Sequence, residues 1–426
     1  MTRLTLALAL AWSWLAGLEA DAKPLDEEHT AAVFVVPAQG EMSRAREATL
    51  LLTLERTLGD YPQIDLVDVD NRLAARVGRI PAKQIADARD RLQRGTAALE
   101  QGKAKDAIAN LEEAVAKLEE SVAFIDLAEL SQAQFTVGAA LALTGEKDAA
   151  VDAFRQLATW NPTYSITADY ITRDVTDAWL AAKKSLARKR KGTLKLVSEP
   201  AGAIAYVDGR FIGFTPTRAE GLLPGVHHVT YKMHGFYRVA QKGEVRSRKT
   251  SKVTATLEPA EQAEQVKGLA RAVASTLESD TGPRALLDLR DLLDVDHAIF
   301  IRVPGRGQDK APYQAAVFDT ETRARLSLVS APPDDDVQTL LETLTRSLYG
   351  ELIPTADPIV ETSGDKGDKG DKGGKRFYQK WWFWTGLAVT TVAGVGVPLL
   401  FKYDVIGGDN GPCPSGFTCG DISWRF

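Results

Sequence analysis

Hydrophobic positions change period several times along this chain, and each change marks a new kind of element. Residues 31–37 (AAVFVVP) are an unbroken apolar run, the pattern of a strand buried on both faces. After Ser43 the period turns helical: Ala48, Leu51, Leu52 and Leu58 share a face, and Gly59 stops the helix. A second strand is expected at 64–69. From Asp87 to about Arg190 the period stays helical, then residues 192–258 alternate as strands do. Leu194 and Leu196, then Ala203, Ala205 and Val207, then Val229 and Tyr231, then Val253, Ala255 and Leu257 take alternate places. Residues 261–350 return to mixed character, with a strand at 298–303, a hairpin joining 313–318 to 324–329, and a last helix carrying Val337, Leu340, Leu341, Leu344 and Leu348 on one face.

Both ends carry longer apolar stretches. Met1-Thr2-Arg3 leads into an apolar run to Leu18, closed by Ala20-Asp21-Ala22, which reads as a signal peptide over 1–22; an uncleaved anchor is the alternative. Trp381-Trp382-Phe383-Trp384 opens an uncharged run to Phe401. As a helix it would measure about 31 Å, enough for a bilayer core, and its aromatic flanks suit headgroup layers. A transmembrane helix is therefore expected at 381–401. The two ends then disagree about the tail. The signal sequence would leave it cytoplasmic, whereas Lys375, Arg376 and Lys380 before the span argue by the positive-inside rule for the reverse.

Composition narrows the class. Of 426 residues, 44% are hydrophobic and 26% charged, which suits folded domains. A net charge of −5 gives no general attraction to nucleic acid. The only cysteines, Cys413 and Cys419, sit in a Gly- and Pro-rich tail suited to a short disulfide loop in an oxidising compartment. Gly-Asp-Lys triplets over 361–375 read as a flexible, charge-balanced spacer.

Within the helical region, Gly95, Gly102, Ala107, Leu111 and Ala114 recur 43 positions later as Gly138, Gly145, Ala150, Phe154 and Leu157. Small residues at Gly95 and Gly138 let paired helices approach, Leu111 and Phe154 fill the groove, and Asn161-Pro162 ends the second pair. The order of Gly, Ala, Phe and Pro resembles the tetratricopeptide repeat, whose usual period is shorter, about 34. A plain helical bundle is the alternative. In the strand region, Glu199-Pro200-Ala201-Gly202-Ala203, Val207-Asp208-Gly209, Ile212-Gly213-Phe214-Thr215-Pro216 and Leu223-Pro224-Gly225 resemble the PEGA domain. That resemblance implies a small β-sandwich, found in surface-exposed and envelope proteins of bacteria, usually without enzymatic residues. Joined, the first and last segments would give one five-stranded sheet with helices; two separate subdomains are the alternative. Through strand order and Leu292-Leu293-Asp294-Val295-Asp296 this domain resembles the amino-terminal domain of the Tol translocation protein B.

The fold class expected is thus multi-domain α+β. Its order is signal peptide (1–22), α/β segment (23–82), tetratricopeptide-like repeats (83–191), PEGA-like β-sandwich (192–259), second α/β segment (260–356), linker (357–380), transmembrane helix (381–401) and Cys-containing tail (402–426).

Few groups suggest chemistry. His227, His228 and His234 read as surface or turn histidines, because strand alternation and length keep them from sharing an ion. His29 and His297 have no ligand-spaced neighbours. Asp65, Asp68 and Asp70 read as strand-edge carboxylates. Asp334-Asp335-Asp336 read as charge at a helix N-terminus. The chain has no G-x-S-x-G, H-E-x-x-H or P-loop. Lys183, Lys184, Arg188, Lys189, Arg190 and Lys191 form one basic cluster: either charge at a helix C-terminus or a contact with an anionic envelope polymer. The function expected is non-enzymatic and cofactor-free: a membrane-tethered envelope protein that binds a protein partner or a surface polymer. An accessory factor of an envelope or secretion complex is the alternative, and an enzyme whose site spans domains is a third.

Overall fold

The computed structural model describes residues 28–166, 171–305, 311–333 and 337–350. The chain begins with β1 (His29–Pro37), α1 (Arg44–Leu58), β2 (Ile64–Leu66) and α2 (Val69–Arg76). Ser43 caps α1, its hydroxyl accepting the Arg46 amide at 3.3 Å. The second strand is shorter than its hydrophobic run: Asp68 accepts the Asn71 amide at 3.0 Å and starts α2 where the strand was expected to continue.

Five helices follow: α3 (Ala82–Glu100), α4 (Ala104–Glu120), α5 (Leu127–Leu143), α6 (Lys147–Trp160) and α7 (Arg173–Ala187). They pack in sequence around one core, with Ala107, Leu111, Leu130, Ala150, Phe154 and Val175 fully buried. α4 stops at Glu120, short of the extension to 124 that its length suggested.

Seven strands then form a sandwich: β3 (Gly192–Glu199), β4 (Ile204–Val207), β5 (Arg210–Phe214), β6 (Thr217–Leu222), β7 (Gly225–Lys232), β8 (Val239–Val245) and β9 (Thr250–Thr256). One sheet runs β6-β3-β9, the other β5-β4-β7-β8. Inward positions of both meet in a core built on Leu194, Leu196, Ala205, Val229, Tyr231 and Ala255.

The chain closes with α8 (Ala263–Ala274), α9 (Ala285–Leu293), β10 (His297–Val303), β11 (Tyr313–Asp319), β12 (Arg325–Ala331) and α10 (Val337–Gly350). Strands from both ends of the chain share one sheet, β12-β11-β10-β1-β2. β1 pairs parallel to β10 with Ala31 opposite His297 and Pro37 opposite Val303. Ala31, Val33 and Val35 face α1 and α10, while Ala32, Phe34 and Val36 face α2, α8 and α9. Two covered faces explain the unbroken apolar run of β1.

The expected fold class needs one correction. Among the described residues no helix is long and apolar enough to cross a membrane. The longest, α3, has 19 residues and carries charge along its length. The most apolar, α5, has 17 residues and spends its apolar surface inside the helical core. What is described is α and β structure with several sheets and ten helices, without a transmembrane helix. The stretches expected as a transmembrane helix (381–401), a signal peptide (1–22) and a linker (357–380), with the tail that holds Cys413 and Cys419 and with Asp334-Asp335-Asp336, lie outside the described residues.

Candidate functional site

The three bodies meet at a cluster of charges. Glu55 comes from α1, Asp68 and Asp70 from the start of α2, and Lys232, His234 and Arg238 from the end of β7 and the loop after it. Lys232 Nζ donates to Glu55 at 2.9 and 3.2 Å and lies 3.0 Å from Asp68 Oδ2. Arg238 donates to the same Asp68 oxygen at 2.6 Å and to the Ala123 carbonyl after α4 at 3.2 Å. Asp70 accepts the Gly235 amide at 2.8 Å, and His234 Nδ1 lies 3.5 Å from its other oxygen. One arginine thus ties the β-sandwich to the α/β sheet and to the helices together.

The pairing governs protonation. Burial would raise the Asp68 carboxyl, but Lys232, Arg238 and the Asn71 amide together hold it well below the usual carboxylate range. Burial opposes a charge on Lys232, and Asp68 and Glu55 override it and raise its pKa. Burial likewise opposes protonation of His234, yet Asp70 and Glu47 raise it to about 9, so the ring is cationic at neutral pH. Three cations then face three carboxylates. The cavity beside them, about 40 Å³ and walled by Leu51, Leu66 and Ile204, has room for a few waters.

The histidines need correction. His227 and His228, expected at the surface, are buried at 1% and 2% exposure. His227 Nδ1 bonds Asp208 at 2.5 Å and its Nε2 bonds the Leu223 carbonyl at 2.7 Å. Burial works against its charge, but Asp208 wins and raises its pKa. His228 faces the other way, edge-on to Trp160 of α6 at 4.8 Å; burial lowers its pKa, and neither ring nitrogen has a partner. It is thus a neutral packing group at the sandwich–helix seam. Gly225 lies on that seam: with φ 147 it lets β7 approach Thr159 so closely that a Cβ would fall 2.8 Å from Thr159 Cγ2. His29 and His297, far apart in sequence, stack at 4.6 Å on paired strands; burial above all, with His29 beside it, lowers His297 to about 4.

The turn residues of the sandwich shape its own loops. The peptide bonds before Pro200 and Pro216 are cis. Thr215 Oγ1 accepts the Gly202 and Ala203 amides at 3.1 and 3.0 Å, and Ser198 bonds both Thr215 Oγ1 and the Pro200 carbonyl, the latter at 2.6 Å. Ala201 lies in the turn between them, Asp208-Gly209 form the β4–β5 turn, with Gly209 against Leu127, and Gly213 lies against Thr217. Thr215 belongs to the Ile212-Gly213-Phe214-Thr215-Pro216 stretch, whereas its partner Ser198 gave no sequence signal beyond an ordinary polar residue.

In the helices, Gly95 packs against Leu111 and Gly138 against Phe154, with Ala107 and Ala150 fully buried beside them; Pro162 follows the end of α6. The basic cluster is wholly exposed: Lys183 lies over the Trp179 ring at 5.4 Å, and Lys184, Arg188, Lys189, Arg190 and Lys191 make no ion pair among the described residues. No group of three or more His, Cys, Asp or Glu placed to hold a metal ion occurs among the described residues. Asp65 lies exposed on β2, apart from the Asp68–Asp70 cluster.

Residues 191–261 match the PEGA domain family, a span that contains all seven strands of the sandwich. No curated protein sequence matches the chain significantly.

Proposed function

We propose that this protein is a non-enzymatic binding scaffold of the bacterial cell envelope, in which helical repeats of tetratricopeptide type hold a protein partner and the PEGA domain contacts surface material. The observation that carries this reading is the six-membered charge cluster. Its titratable groups are spent on one another, at a seam where a cavity of about 40 Å³ admits no metabolite. Groups so paired lock three bodies into one rigid frame; they are not poised to exchange protons with a substrate. The paired glycines at Gly95 and Gly138 support helices stacked in repeating pairs, an arrangement suited to holding an extended segment or a helix.

The test is fractionation with chemical cross-linking of the full chain in cells. The expected result is recovery with the envelope and capture of one protein in reproducible ratio. A full-length product free in the cytosol with an unprocessed N-terminus, or a transfer or hydrolytic activity lost on Asp68→Asn, would overturn the proposal.

A further inference from the structure

The outer face of the sheet β6-β3-β9 carries a row of positive charge that runs from edge to edge. Lys195 on the central strand β3 stands opposite Arg218 of β6 and opposite Lys252 of β9. Neighbouring strands lie about 4.8 Å apart, so three cations fall within roughly 10 Å. All three are exposed, and none makes an ion pair among the described residues. The row continues along β3. Lys191 lies on the same side as Lys195 by strand alternation, and its carbonyl accepts the Arg248 amide at 2.9 Å. Arg248 itself is held at φ 61 in the β8–β9 turn beside Lys249. The exposed run Arg188-Lys189-Arg190 leads directly into this face.

Like charges directly opposite one another destabilise a sheet, and no ion pair among the described residues offsets that cost. Lysines on edge strands guard against edge-to-edge pairing, which accounts for Arg218 and Lys252. That explanation fails for Lys195, because β3 is the central strand. The face also carries Glu220 and Glu199, neither in an ion pair. Its remaining side chains are threonine and valine, with no aromatic ring on which a base could stack. No apolar side chain stands out to enter a lipid layer. Cations set across neighbouring strands suit an extended polymer whose charges repeat at about the strand spacing.

We propose that this sheet face, with the Arg188–Lys191 run beside it, binds a linear carboxylated polysaccharide. The proposal rests on the reading of the PEGA domain as the part that contacts surface material, and names the face and the chemistry of that contact.

The test titrates the full-length protein with polygalacturonate across 50–300 mM NaCl, with neutral dextran and phosphatidylglycerol vesicles in parallel. The expected result is binding to polygalacturonate alone, weakening steeply with salt. The triple substitution Lys195→Thr, Arg218→Thr, Lys252→Thr should weaken it at least tenfold and flatten the salt dependence. The melting temperature should hold or rise, since like charges are removed. An equal charge change elsewhere (Lys103→Ser, Lys105→Ser, Lys147→Ser) should leave binding within twofold. Equal loss in both triples, an unaffected affinity in the sheet triple, no binding at 100 mM salt, or binding to vesicles in place of the polyuronate overturns the proposal. Cross-linking to a protein partner that persists in the sheet triple separates failure here from failure of the scaffold reading.

Discussion

Gly138 lies directly beneath the ring of Phe154, where a Cβ would sit 2.5 Å from Phe154 Cε1. The same relation holds one helix pair earlier between Gly95 and Leu111, also at 2.5 Å. Each glycine therefore sets how closely its two helices cross. Gly138→Ala gains about 1 kcal/mol of helix propensity, but overpacking a filled core costs about 1–3 kcal/mol, and Phe154 is fully buried. Net loss of about 1 kcal/mol in urea denaturation is expected. In a Phe154→Ala background the same change should cost nothing or stabilise, and additivity of the two substitutions would show that the ring does not set the spacing.

Lys232 answers two carboxylates at once. Lys232→Met keeps much of the aliphatic stem and leaves Glu55 and Asp68 facing one another without their shared cation. A partly exposed pair loses less than a fully buried one, so about 2–3 kcal/mol is expected from denaturant unfolding. Adding Glu55→Gln should recover part of it, because the remaining carboxylate still has Arg238.

His234 links the module junction to pH. Its pKa is raised from 6.5 to about 9 in the folded protein. A raised pKa means that the folded state holds the proton more tightly, so the contribution is complete below about 6.5 and is lost as pH rises through about 9. Thermal unfolding between pH 6.5 and 10 should show stability falling by about 1–2 kcal/mol, discounted because the ring is partly exposed. His234→Gln should reduce that slope, leaving the part that His227 contributes through Asp208. Asp68 acts in the opposite sense: its lowered pKa gives stability present above about 4 and lost as pH falls below.

Thr215 holds the turn at Gly202-Ala203. Thr215→Val preserves shape but strips the acceptor from the Ala203 amide, and a buried amide left unpaired costs about 1–3 kcal/mol. Thr215→Ser keeps the oxygen and should retain most of the stability. Equal melting temperatures for the valine and serine variants would remove the hydroxyl from this role.

Period and punctuation were enough to read most elements. The doubly buried run at 31–37, the Ser43 cap, the alternating strands from Gly192 and the glycine turns are local signals, and the structure places β1, α1, β3 and their neighbours on them. The second strand is shorter than its hydrophobic run because Asp68 serves as a helix cap, a role that its strand-like neighbours conceal. The charge cluster was invisible for a different reason: Glu55 and Lys232 are 177 positions apart, and Asp68 and Arg238 are 170 apart. No local pattern relates such residues, and a lone Asp or Lys reads as surface.

What the amino-acid order determined by itself was therefore the kind of element at each stretch and the turns between them, since backbone conformation and side-chain period are local properties. Tertiary structure alone decided which strands became neighbours, that His227 and His228 are buried, and that six charges meet at one seam. A histidine on a strand looks the same whether its face meets water or Trp160; only docking removes the water, and only then do burial and a facing carboxylate set the charge.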